Sequence, residues 1–122
     1  MAKKIMIIDD SATLREVVKA TLLKAGYEVL EAVDGKDALK KIAGQKINLI
    51  ICDVNMPNMD GITFLKEIKQ QAAHKFVPII MLTTESQEAK KQEGKAAGAK
   101  AWVVKPFKPE TMLAAVEKLI LP

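Results

Sequence analysis

The chain has 122 residues, 49% of them apolar, a net charge of +4 and one cysteine. That is one domain's worth of chain with enough apolar surface for an ordered core, while the lone Cys52 excludes an internal disulfide and no apolar run approaches the ~20 residues of a membrane span. The 19 basic residues are scattered along the chain, without helix-turn-helix, zinc-finger spacing or aromatic–basic interleaving, and read as solvated helix faces rather than a nucleic-acid interface.

From the amino end, Met1-Ala2-Lys3-Lys4 runs straight into Ile5–Ile8, a continuous apolar run, short and mostly β-branched, of the kind buried on both faces of a parallel sheet. It stops at two adjacent acids, Asp9 and Asp10. Ser11 reads as the N-cap of a helix whose Leu14, Val17, Val18, Thr21 and Leu22 share one face and which Gly26 ends. "YEVLEAV" (27–33) alternates only in part and reads as a strand nearer the sheet edge. Asp34-Gly35 turns into a short helix with Ala38, Leu39 and Ile42, closed by Gly44. "LIIC" (49–52) is a second buried strand, followed by the loop "DVNMPNMDG" (53–61) and a helix carrying Ile62, Leu65 and Ile68. "PIIML" (78–82) is a strand with Pro78 at its first position, where a missing N–H is tolerated. Residues 86 to about 98 read as a helix and "AWVV" (101–104) as the fifth strand. Pro109 opens the last helix, with Met112, Leu113, Val116, Leu119 and Ile120 as its apolar stripe.

Five strands alternating with five helices imply an α/β fold, a doubly wound parallel sheet covered on both faces. The chain reads as a single domain over 1–122 that stops after the fifth helix, leaving no room for an output domain, in a soluble, cytoplasmic protein. In a parallel sheet all carboxyl ends share one edge, so Asp9, Asp10, Asp53, Thr83 and Lys105 meet there, at the rim where open α/β sheets bind ligands. Clustered carboxylates hold a cation or shift their pKa values, and oxygen-only donors suit a hard ion such as Mg²⁺. A carboxylate can also be a nucleophile, and a cation plus lysine can stabilise a phosphoryl group in flight. The set is complete for phosphoryl transfer to an aspartate.

The acidic pair Asp9-Asp10, the aspartate closing the third strand in "CDVNMPNMDG", Thr83 closing the fourth and "KPF" at 105–107 together resemble the receiver domain of two-component response regulators, in particular the single-domain chemotaxis regulators of the CheY type. The resemblance covers the whole chain and implies a flavodoxin-like strand order of 2-1-3-4-5. It implies Asp53 as phosphoacceptor, and Mg²⁺ held by Asp10, Asp53 and the backbone carbonyl of Asn55, with Asp9 acting through water. Lys105 would pair with Asp53 or its phosphate, Thr83 would bond the phosphoryl oxygen, and the Lys105–Pro106 peptide would be cis. Asn55 and Glu85 occupy the positions that tune phosphate loss, here toward a short lifetime. Trp102 stands where the family usually places a Tyr or Phe rotameric switch; its indole is larger, so the inward swing of a phenol is not expected to carry over unchanged. The implied partners are a histidine kinase of the CheA type as donor, a target such as the flagellar motor switch on the face of helix 4, strand 5 and helix 5, and a phosphatase. The resemblance implies a monomeric signalling protein rather than an enzyme. A stand-alone phosphate sink or a regulator outside chemotaxis is the variant reading. A small phosphatase with an aspartyl-phosphate intermediate would want a second acid where Asn55 stands, and an FMN carrier would not place "DDSATLRE" after its first strand.

His74, in "QQAAHKFVP", reads as a solvated loop residue. Cys52 is turned away from Asp53 by strand alternation, and Met81 and Met112 read as core. The fourth helix has only alanines as apolar anchors and Gly94 inside, which costs about 1 kcal/mol relative to Ala. It is expected to be the most loosely held element, with Lys90, Lys91, Lys95 and Trp102 near a docking face.

Overall fold

A computed structural model describes residues 2–84 and 88–121. In chain order these form β1 (Lys4–Ile8), α1 (Ala12–Lys24), β2 (Glu28–Ala32), α2 (Gly35–Ile42), β3 (Leu49–Asp53), α3 (Gly61–Ile68), β4 (Ile79–Thr83), α4 (Glu88–Ala97), β5 (Ala101–Val104) and α5 (Pro109–Leu119). All strand pairs are parallel and the order is β2-β1-β3-β4-β5, so β2 is an edge strand as its broken alternation suggests.

The pleat of the sheet sorts the apolar runs into two layers. Ile5, Ile7, Leu49, Ile51, Ile80, Leu82 and Val103 pack with Val18 and Leu22 of α1 and Met112 and Val116 of α5. Met6, Ile8, Ile50, Cys52, Ile79 and Met81 pack on the other face with Ala38 and Ile42 of α2 and Ile62, Leu65 and Ile68 of α3. Phe64 joins that layer fully buried. Helix starts are capped: Leu14 N–H donates to Ser11 Oγ at 3.2 Å, Asp37 N–H to Asp34 Oδ1 at 2.8 Å, and Thr63 N–H to Asp60 Oδ1 at 2.8 Å. Gly26 follows α1 with φ of 96°, the left-handed closure that glycine favours.

Two sequence readings need correction. Val17 is 50% exposed, because α1 buries the stripe through Leu14, Val18 and Leu22 and turns Val17 to its flank. His74 is buried, not solvated. Its Nδ1 lies 3.2 Å from Gln71 Oε1 and its Nε2 2.9 Å from the Gln45 carbonyl, clasping the turn after α2 to the turn after α3. Lys3, Lys4, Lys46, Lys75 and Lys100 each stand at or just before a strand start, so they share the edge opposite the carboxylate rim, the end to which the helices' carboxyl termini also point. No helix among the described residues is long and apolar enough to cross a membrane.

Candidate functional site

Strand parity builds the site. Asp9 continues the face of Ile5 and Ile7, Asp53 that of Leu49 and Ile51, and Lys105 that of Ala101 and Val103. The three side chains therefore leave the sheet on one side and meet beyond its end. Lys105 Nζ lies 3.1 Å from Asp53 Oδ1 and 3.2 Å from Asp9 Oδ2, bridging the two carboxylates. Asp9 is fully buried, its Oδ1 accepts the Ser11 N–H at 2.8 Å and its backbone carbonyl accepts the Arg15 guanidinium at 2.6 Å. Asp10, out of phase with Asp9, is exposed. One oxygen from each of Asp9, Asp10 and Asp53 falls within 4.8 Å of the others.

This cluster is short of positive charge. Burial, and then the neighbouring Asp9 carboxylate, push the Asp53 pKa above the usual aspartate value, although the Lys105 ammonium opposes them. For Lys105, burial works to lower the pKa but the Asp53 and Asp9 charges outweigh it, so the net shift is upward. Among the described residues Lys105 is the one cation paired with these carboxylates. Three oxygen donors with a deficit of cation fit a small hard divalent ion.

The loop after β3 is pinned against the site. Asn58, at a positive φ of 66°, donates from Nδ2 to Asp34 Oδ2 at 2.8 Å. The Asp37 N–H first, then this amide, hold the Asp34 carboxyl below its ordinary pKa. Gly61 N–H donates to the Val54 carbonyl at 2.9 Å, and a Cβ at Gly61 would stand 2.0 Å from the Asp53 carbonyl oxygen. Only glycine allows α3 to start that close to the Asp53 backbone. Gly61 is a residue at the site that the sequence reading missed, and the Asp34–Asn58 pair braces the loop that leads to it; the glycine directly after the loop's last acid was the available signal.

Thr83, buried at the end of β4, takes the other face. Its hydroxyl donates to the Thr84 carbonyl at 3.3 Å and its own carbonyl accepts the Lys105 N–H at 2.7 Å. The Lys105–Pro106 peptide is cis, as expected. Asn55 is exposed in the loop and Glu85 lies outside the described residues. Cys52 is buried in the opposite layer, and burial followed by the Asp53 charge pushes its thiol pKa well up. Trp102 is not in the carboxylate cluster. It is partly buried and packs with the layer of α2 and α3, with the outer edge of its ring against Gly94 of α4. Beside Lys105, Leu14 and the exposed Val17 line an apolar hollow with Pro106 and Phe107.

Comparison with known proteins places this arrangement in context. The profile of the response regulator receiver domain matches residues 5–117. The chemotaxis protein CheY of Bacillus subtilis is 41% identical over 121 residues, covering 98% of this chain and 99% of that protein. Among solved structures, the chemotaxis response regulator CheY4 of Vibrio cholerae has a TM-score of 0.92 at 49% identity, covering 98% of this chain and 99% of that one. The receiver domain of a sensor histidine kinase from Pseudomonas aeruginosa, described with a magnesium ion coordinated in its active-site cleft, has a TM-score of 0.89 at 27% identity and covers 98% of each chain.

Proposed function

The chain belongs to the response regulator receiver domain family, and from that premise we propose that it is a phosphorylation switch in which Asp53 takes a phosphoryl group from a histidine kinase. The observation that carries this reading is the pairing of Lys105 with Asp53 Oδ1 at 3.1 Å inside a cluster of three carboxylates. The ammonium orients Asp53 and leaves Oδ2 to attack phosphorus as the P–N bond to the donor imidazole breaks, its electron pair returning to the ring. Lys105 then pairs with a phosphoryl oxygen in place of the carboxylate. Mg²⁺, held by Asp10, Asp53 and the Asn55 carbonyl with Asp9 through water, would neutralise charge on the transferring oxygens.

Thr83 reads the product. Its hydroxyl spends a long bond on the Thr84 carbonyl, and a phosphoryl oxygen is a stronger acceptor. A modification shifts an equilibrium only by its differential interaction with the two states, and the exchange of Thr83's acceptor, with adjustment of Trp102 and α4, supplies that difference. In the phosphorylated protein the face of α4, β5 and α5 then binds a downstream target. The likeness to CheY proteins favours a stand-alone chemotaxis regulator, phosphorylated by a kinase of the CheA type and acting on the flagellar motor switch. A histidine kinase's receiver domain shares the fold, which favours, as a second reading, an output outside chemotaxis.

Phosphotransfer from a panel of radiolabelled histidine kinases tests the site, with Asp53→Asn as control. Label on wild type alone is expected; equal label on the variant refutes the assignment. Thr83→Ala is expected to accept phosphate at a near-normal rate and to lose target binding.

A further inference from the structure

Gly94 lies inside α4, where helix propensity alone marks it as a weakness. Its surroundings give it another meaning. It is buried while its neighbours Glu93 and Lys95 are exposed. A Cβ at this position would stand 2.3 Å from Cζ2 and 2.9 Å from Cη2 of Trp102, and 3.1 Å from Cδ1 of Ile62. The two nearest atoms are the outer edge of a rigid bicyclic ring, so no flexible tip can yield. The Trp102 Nε1 is buried with no hydrogen-bond partner among the described residues. Polar pairing therefore does not hold the indole in place, and fit against the bare Cα does.

We propose that Gly94 is a positioning residue: its missing side chain is the seat of the Trp102 indole, and through that seat α4 and β5 hold each other in place. α4 offers few other anchors on this side. Among the described residues of α4, Ala97 is the one partly buried apolar residue packed on this layer, and the Lys66–Glu93 pair that ties it to α3 is at the surface, where such pairs contribute little. The regulatory meaning of the seat, that α4 cannot shift without carrying or expelling the ring, rests on the switch reading given above. The seat itself does not depend on phosphorylation.

A double-mutant cycle on the full chain separates the two. In an ordinary helix interior Gly→Ala favours folding about fivefold. With Trp102 present, Gly94→Ala is expected instead to shift the urea-unfolding equilibrium about tenfold toward unfolding, the cost of overpacking. A phenyl ring lacks the two atoms in question, so in the Trp102→Phe background the same change is expected to recover its fivefold gain. Trp102 is the only tryptophan, so its emission reports the seat directly. In folded Gly94→Ala, circular dichroism being unchanged, the emission is expected to move to the red and iodide quenching to rise. A stabilising Gly94→Ala in both backgrounds, or emission and quenching equal to wild type, overturns the seat. If the cycle holds while Asp53 takes no label from any kinase, the seat stands and the switch reading falls.

Discussion

Replacing Lys105 by methionine removes the cation that bridges Asp9 and Asp53 while keeping an unbranched chain of similar length. At 3.1 and 3.2 Å and an effective dielectric of about 20, each pair is worth roughly 5 kcal/mol before the cost of desolvating its members. The outcome turns on what is left behind. Three carboxylates with oxygens within 4.8 Å of one another repel by about 3 kcal/mol per pair at the same dielectric. Lys105 is partly exposed, with 24% of its side chain open to solvent, so the expected loss lies at the lower end for a broken buried pair, about 3 kcal/mol at pH 7 without divalent cation. Asp53 can relieve the strain by taking a proton. Its pKa is already raised and rises further without the ammonium. A carboxyl raised in the folded state favours folding fully below its unfolded value near 3.8 and loses that contribution as pH climbs through the folded value. The deficit of the variant should thus grow from about pH 4 toward neutrality, and saturating Mg²⁺ should reduce it to under about 1 kcal/mol. Urea denaturation between pH 4 and 8, in EDTA and in Mg²⁺, measures it. A loss below about 1 kcal/mol at pH 7 in EDTA, or a loss that ignores both pH and Mg²⁺, refutes the reasoning.

Asp53→Asn removes the strained carboxyl and leaves the Lys105–Asp9 pair. In EDTA it should be more stable than wild type at pH 7, the gain fading toward pH 4, and a less stable variant in urea would contradict the raised pKa. Asp9→Asn should cost about 2 kcal/mol in stability, since it weakens a buried charge-assisted bond to Ser11 and the pair with Lys105, whereas exposed Asp10→Asn should stay within about 0.5 kcal/mol. In a Mg²⁺ titration the order should reverse, with Asp10→Asn losing more affinity, and the opposite ranking would overturn the division of direct and water-mediated ligands. Gly61→Ala presses a methyl group into the Asp53 carbonyl, a backbone atom that cannot swing aside, so a loss of about 3 kcal/mol and slower phosphorylation are expected; a thermal midpoint equal to wild type would show that the loop yields.

The strands and the rim were legible because each rests on a local signal: a short apolar, largely β-branched run, and the rule that parallel strands end on one edge; the strand order came from the family resemblance and not from any local pattern. The unequal fates of Asp9 and Asp10 also follow from the pleat, since only Asp9 is in phase with Ile5 and Ile7. What was not legible depends on a second segment. His74 looks solvated among polar neighbours, and its burial comes from the Gln45 carbonyl 29 residues away. Gly61 and Gly94 read locally as a loop end and a helix fault. Their reason is a backbone and a ring brought within contact by the fold, which no pattern in one sequence records. Val17 shows the limit of periodicity itself, which marks an apolar face but not how much of it a neighbour covers.

The sheet acts as a partition. Asp9, Asp53 and Lys105 continue the side packed by α1 and α5, while Thr83 and Trp102 continue the side packed by α3 and α4. Side chains in the two layers are insulated from each other along the length of the strands, so an event confined to one would leave the other unaware. The strand ends are where the barrier stops. There the Thr83 carbonyl takes the Lys105 N–H, and a group added to Asp53 stands at the threshold between the compartments. On the switch reading proposed above, a chemical change made on one side of the wall would pass to the other through that bond, without any strand having to bend.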